Sequence, residues 1–300
     1  MHGTQPMDDR RYALLADRGL LAVGGEDSRA FLQGLVSNDV TKVSPARAVW
    51  AALLTPQGKF LHDFFIIEVT GALLLDCEAA RLPDLKRRLG LYKLRSKVTI
   101  EDRSADFAVA ALMGTGTLAA LALPAGTGAA RAVDGGTVFA DPRHPAAGAR
   151  AILPRQAIGA TLAGLGFTEA SPAAYDRERI ALGLPDGSRD LEVEKAILLE
   201  NGFDELNGVA WDKGCYMGQE LTARTKYRGL IKKRLMPVAI QGPVPPPGTP
   251  ITMNGEDAGE MRSSADGLGL ALLRLEKIAA GSLVAGGTTL KPLKPDWAKF

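Results

Sequence analysis

The stretch Asp212-Lys213-Gly214-Cys215-Tyr216-Met217-Gly218-Gln219-Glu220-Leu221-Thr222-Ala223-Arg224 packs a thiol, two glycines, an amide, carboxylates and bases into little space. No other part of the chain matches that density of reactive and conformationally special residues. The spacing predicts a helix from about Gly218 to Arg228, stopped by Gly229, with Cys215 just before its start. Backbone N–H groups at a helix start and a cation such as Lys213 are the setting in which a thiol becomes a nucleophile. A small apolar residue in a tight turn is the plainer alternative. Gly214 and Gly218 suggest a backbone bent to approach something closely. The residues alone leave Cys215 open between filler and function.

Its neighbours are equally two-sided. Glu220 and Arg224 stand four apart on the expected helix, as in a surface ion pair of about 0.3–0.5 kcal/mol. Gln219 and Glu220 would alternatively present an amide and a carboxylate to a heterocycle. A Cys–His nucleophile is not supported, because none of His2, His62 and His144 falls in such a setting.

Working outward, 300 residues point to two or more domains, and 46% hydrophobic content supplies a sizeable core. A net charge of +2 argues neither for nor against nucleic acid. Only Cys77 and Cys215 are cysteines, which favours a reducing compartment. The segment Met1 to Asp9 has no apolar run and carries paired aspartates, which reads as neither a signal nor a transit peptide. No run reaches the roughly 18 apolar residues of a membrane span. The expected location is therefore the cytoplasm, with no membrane partner.

Tyr12 to Val23 reads as a hairpin around Asp17-Arg18-Gly19, followed by a helix capped by Asp27 or Ser28. Ala48 to Leu54 and Phe60 to Val69 flank Pro56-Gln57-Gly58 as a second hairpin. Leu73 to Cys77 is expected as a buried strand, Ala79 to Tyr92 as a helix and Val98 to Asp102 as a strand. Phe107 to Met113 and Thr137 to Ala140 are expected as strands, and Gln156 to Gly166 and Ala173 to Leu182 as helices. After Leu235, short apolar runs at Leu235 to Ile240, Leu268 to Leu275 and Thr288 to Leu290 alternate with Gly/Pro turns, as in a small all-β module. The expected division is a body over 1–230 and a barrel over 231–300.

Other candidates are weaker. Arg224, Lys226, Arg228, Lys232, Lys233 and Arg234 form a basic run, and Lys86 to Lys97 a second. Both suit solvated faces, an anionic ligand tail or RNA, but no aromatic interleaving accompanies them. Gly114-Thr115-Gly116 imitates a dinucleotide fingerprint, yet Pro124-Ala125-Gly126 interrupts the helix it needs, so a loop is expected. No P-loop, HExxH or CxxC occurs, so no stably held metal is expected. At most, Cys215 supplies one ligand of a shared, transient iron–sulfur cluster. In His62-Asp63 adjacent strand residues point to opposite faces, which predicts one inner and one solvent residue.

Lys213-Gly214-Cys215-Tyr216-Met217-Gly218-Gln219-Glu220 resembles the K-G-C-[FY]-x-G-Q-E signature of YgfZ-type folate-binding proteins, relatives of mitochondrial iron–sulfur assembly factors and of the glycine-cleavage T-protein. Phe31 to Asp39, Leu54 to Lys59, Tyr92 to Val98 and Arg179 to Pro185 match the same family in the same order. The resemblance implies an α+β, T-protein-like, multi-lobed folate-binding body with a small C-terminal β-barrel. It implies a tetrahydrofolate-binding accessory role in assembly or repair of iron–sulfur proteins, with Cys215 as the thiol and client or assembly proteins as partners. Lys213 and Asp63 stand beside Cys215 as the candidate chemistry. Arg95, Glu200, Gly214, Gly218, Gln219, Glu220 and Arg228 are the candidate ligand-binding residues, the two arginines toward a folate's glutamyl carboxylates. The aminomethyltransferase pattern is broken where His62 replaces its first hairpin Asp and Ala181 its folate-holding Glu. Folate-dependent aminomethyl transfer, with Asp63 as base, is therefore the alternative function. A tRNA- or protein-binding module using the two basic clusters is the third.

Overall fold

The computed structural model describes residues 9–229, 231–278 and 282–299. The chain divides into two compact units, each assembled from separate stretches. The first takes the described residues to Arg29, then Thr41–Val49 and Phe65–Tyr175; the second takes Ala30–Val40, Trp50–Phe64 and the described residues from Asp176. The content is mixed helix and sheet, closed by a C-terminal barrel.

In the first unit, one sheet runs in the order Thr168–Glu169, Arg11–Leu14, Phe107–Met113, Ala149–Pro154, Gly136–Ala140, Ala130–Val133. The expected Phe107–Met113 strand is there, and its last five residues are buried. Helix Ile158–Gly164 contributes Ile158 and Leu162 to the core beneath this sheet, with Leu121 and Phe167. Gly114 ends its strand at φ +102 and the following helix is only Thr117–Ala120, so the glycine pair is a loop as expected.

A second group of strands places Ala72–Glu78 beside Arg18–Gly24, and that beside Thr99–Asp102. Leu82, Leu85 and Leu89 bury one face of helix Leu82–Lys93, which starts with Pro83 in its first turn. The hairpin expected over Tyr12 to Val23 does not form. Arg11–Leu14 pairs with Phe107–Met113, whereas Arg18–Gly24 pairs with Ala72–Glu78. The residues between them turn the chain from one sheet to the other, and Arg18 fixes the new direction by donating to buried Asp76 at 2.7 Å.

In the second unit the Pro56-Gln57-Gly58 hairpin forms as predicted. Thr55 and Lys59 close it with a 2.8 Å backbone bond, and Gly58 takes φ +81. The barrel is closed in the order Lys233–Gln241, Leu268–Arg274, Glu256–Ala265, Pro250–Met253, Leu283–Ala285, Thr288–Pro292. Closure leaves no edge strand, and Met236, Val238, Ile251, Met261, Leu273 and Leu290 fill the interior. Apolar patterning reveals three of these strands. Glu256–Ala265 escapes it because Asp257, Glu260, Arg262 and Ser263 interrupt its apolar residues. Among the described residues no helix is long and apolar enough to cross a membrane.

Candidate functional site

The signature segment enters helix Gln219–Arg228 through Gly218, which sits at φ +78. A Cβ on Gly218 would lie 2.4 Å from the Thr55 carbonyl oxygen and 2.9 Å from Leu54 Cβ. A Cβ on Gly58 would in turn lie 2.7 Å from the Gly218 carbonyl oxygen and 2.6 Å from Leu221 Cβ. Two glycines far apart in sequence thus let the signature turn press onto the tip of the Pro56-Gln57-Gly58 hairpin. Gly214 shows no such demand: a Cβ there would meet open space. Gly229 ends the helix at φ +61, as expected.

Lys213 is drawn inward. Its Nζ donates to the carbonyl oxygens of Gln33 (2.9 Å), Val36 (2.7 Å) and Asn38 (2.8 Å), which end helix Ser28–Gln33 and the turn after it. An ammonium has three donors, so this set saturates it. The Tyr216 ring centroid lies 5.1 Å from the same Nζ, adding a cation–π contact. Burial draws the ammonium down to about 8, against the nearby charge of Asp39. Met217 N–H adds a 3.1 Å bond to the Gly34 carbonyl. Lys213 therefore anchors the segment instead of reaching for the thiol. Between these anchors Cys215 stands exposed.

Gln219 closes the turn locally, its Oε1 accepting from the Tyr216 N–H at 3.1 Å. Glu220, Arg224 and Arg228 are exposed on the helix. Asp63 is 6% and His62 3% exposed, so the prediction of one solvent-facing residue fails. The strand Phe60–Val69 is buried along nearly its whole length, which leaves neither face to water. Asp63 accepts from Trp50 Nε1 at 3.0 Å, and the Trp50 ring stacks on Phe203 at 3.9 Å between centroids. His2 lies outside the described residues.

Arg95 belongs to the first unit and is exposed just beyond helix Leu82–Lys93. Arg228 belongs to the second. Glu200 lines a cavity of about 330 Å3 in the second unit, with Lys59, Lys232, Lys233, Asn201 and Arg262. Burial raises the Glu200 carboxyl above its ordinary value, although Lys233, Lys59 and the backbone N–H groups of Lys233 and Lys232 oppose that shift. Cys77 is core filler in the first unit, 1% exposed. Both basic runs are partly neutralised: Asp84 pairs with Arg87 and Arg88, Asp204 with Lys226, and Glu205 with buried Arg234.

The polar hub of the second unit escaped the sequence. Arg179 is fully buried. It donates to Asp176 at 2.6 Å, to Asp190 at 2.8 Å and to Ser263 Oγ at 2.9 Å, while Asp190 accepts from Ser263 Oγ at 2.6 Å. Two residues on, Ala181 is exposed. Acidic residues three before and eleven after an Arg were the only available signal, and they do not distinguish a buried hub from a surface pair.

Residues 232–300 match the family of the CAF17 C-terminal beta-barrel domain. Over 98% of its length the chain is 33% identical to the mouse mitochondrial iron–sulfur cluster assembly factor IBA57, of which 88% is covered. The human counterpart is 35% identical over 94% of this chain and 84% of its own. In the fungus Mycosarcoma maydis, an IBA57 homolog is 30% identical, covering 89% of this chain and 74% of its own. The structure resembles the glycine cleavage system aminomethyltransferase T of Bartonella henselae, with a TM-score of 0.77 over 97% of this chain and 86% of that one, at 15% identity. That establishes a T-protein-like fold. These relatives are named as mitochondrial, which overturns the expected cytoplasmic location. Sparse cysteines report only a reducing environment, and a mitochondrial interior that keeps thiols reduced would give the same sequence signal.

Proposed function

We propose a function from this premise: the chain belongs to the YgfZ/GcvT-domain family, among the IBA57-type iron–sulfur cluster assembly factors. It acts as an accessory protein in assembly or repair of iron–sulfur proteins, in the mitochondrial setting its relatives' names give. Cys215 is the residue that touches the cluster, a sulfur species or the partner protein. The observation that carries this reading is the anchored, exposed thiol. Lys213 and Gly218 hold the segment on both sides, and Cys215 between them is presented to solvent. A cluster here is cargo that passes through, supplied or received by other proteins.

The test is complementation. In cells lacking the native protein, wild type restores the activities of iron–sulfur enzymes under oxidative stress, and Cys215→Ser does not. Equal restoration by the two would falsify the thiol role. A Lys213→Met partner experiment separates anchoring from chemistry: it lowers restoration through a displaced loop while leaving the thiol present.

Tetrahydrofolate is proposed as ligand from the family resemblance. Of the residues expected to hold it, Glu200 is met by two backbone N–H groups and Gln219 by its own turn. Calorimetric titration of wild type and Cys215→Ser with tetrahydrofolate tests it, and equal binding by both is expected because the thiol and the ligand are separate requirements.

A further inference from the structure

The cavity beside Glu200 has a composition that the assembly role does not use. It is about 330 Å3 in volume, at the small end of ligand pockets. Three of its cations are already paired: Lys195 with Glu192, Arg262 with Glu260 and Arg274 with Asp257. Asp190 is engaged by Arg179 and Ser263. What remains among the lining residues is Lys59, Lys232 and Lys233 around one carboxylate, Glu200. The balance calls for an anion.

Two polar atoms of residues in the same lining sharpen this. Asn201 is 2% exposed; its Nδ2 donates to the Ile197 carbonyl at 2.9 Å, and its Oδ1 is buried without a partner. The bond to Ile197 fixes the amide orientation, so the orphaned atom is an acceptor. Arg262 Nη1 is occupied by Glu260, while its Nε is buried without a partner and is a donor. A buried acceptor and a buried donor left unmade on two residues of one lining are costly unless a bound group reaches both.

We propose that this cavity binds a small oxyanion, phosphate or carboxylate, that carries one hydrogen-bond donor of its own. The anionic oxygens accept from Arg262 Nε and sit among Lys59, Lys232 and Lys233. The ligand's donor meets Asn201 Oδ1. Among the described residues no aromatic lines the cavity, which disfavours a stacked heterocycle such as a pterin as its occupant. The site is independent of the thiol reading, since Cys215 is not among its lining residues.

Calorimetric titration of the full chain with inorganic phosphate, malate and succinate tests the assignment. Malate carries a hydroxyl donor that succinate lacks, and is expected to bind about tenfold tighter. The tighter of phosphate and malate identifies the class of oxyanion, and either supports the site. Lys59→Met with Lys233→Met weakens all probes about tenfold or more. Asn201→Leu removes the preference for malate and leaves succinate nearly unchanged. Asn201→Asp keeps the shape and weakens every anion by charge, which covers failure of the leucine variant to fold. The proposal is overturned by no binding up to on the order of 10 mM, by equal binding of malate and succinate, or by variants indistinguishable from wild type. Displacement of malate by tetrahydrofolate would also overturn it, assigning the cavity to folate. Tetrahydrofolate binding without such displacement would uphold both proposals.

Discussion

Lys213 and two of the lysines beside Glu200, Lys59 and Lys233, occupy the same unit and the same kind of partly buried setting, yet their surroundings differ. Lys213 has three donors and three carbonyl acceptors at 2.7–2.9 Å, with an aromatic ring behind them. Arg179 is closed in the same sense, since both carboxylates it touches and Ser263 complete one network. Around Glu200, by contrast, cations outnumber carboxylates, and Asn201 Oδ1 and Arg262 Nε are buried without partners. A closed polar network holds its own chain in place; an open one is poised for something else. Where every valence is met, substitution should cost stability. In an open network it should cost binding and little else.

The largest effect is expected at Arg179. Arg179→Met leaves Asp190 buried and without its cation, a loss of about 3–5 kcal/mol in chemical denaturation. A loss under about 1 kcal/mol would mean that water reaches Asp190, and the contrast between closed and open networks would fail there. Gly218→Ala should follow, at about 2–4 kcal/mol, because a side chain at φ +78 is strained and its Cβ would meet the Thr55 oxygen. The same denaturation assay reads it. Gly214→Ala is its control and should be nearly silent, since nothing approaches that position.

Lys213→Met is next, with an expected loss of about 2 kcal/mol, because three carbonyls lose one shared cation on a group that is not wholly buried. Its diagnostic readout is alkylation of Cys215 by iodoacetamide, which should change several-fold in rate as the loop shifts. Unchanged alkylation with lost stability would make Lys213 a strut with no bearing on the thiol.

These residues differ in how far the sequence announces them. The signature helix, its Gly218 and Gly229 boundaries, the Pro56-Gln57-Gly58 hairpin and the β-rich tail were legible, because each is written in neighbouring residues with a fixed conformational meaning. The partners of Lys213 were not, because Gln33, Val36 and Asn38 offer only backbone oxygens, which no side-chain pattern encodes. The Arg11–Leu14 and Arg18–Gly24 strands look like a hairpin locally and are separated by pairing with strands elsewhere in the first unit. Asn201 and Arg262 carry no motif at all; their meaning lies in atoms without partners. Local chemistry thus reveals the thiol, and only the folded chain reveals what holds it and what else is left open.

The smallest effect, and the finest probe of the open network, is the pH profile of Glu200. Burial raises its folded carboxyl above the ordinary 4.5, so the folded state holds a proton that the unfolded chain has already released. The resulting contribution is fully present below that ordinary value and is lost as pH rises through the folded one. Wild type should therefore be most stable relative to Glu200→Gln at roughly pH 4 and should lose that advantage toward neutrality. The amplitude should stay under about 1 kcal/mol, because the group is only half-buried and solvent screens it. A flat difference would mean a cavity open to bulk water. The opposite slope would mean that Lys59 and Lys233 hold Glu200 as an anion, which would make this corner as closed as that of Lys213. Saturating the site with malate adds negative charge beside the carboxyl and should displace the profile to higher pH. Absence of that displacement would place the anion elsewhere.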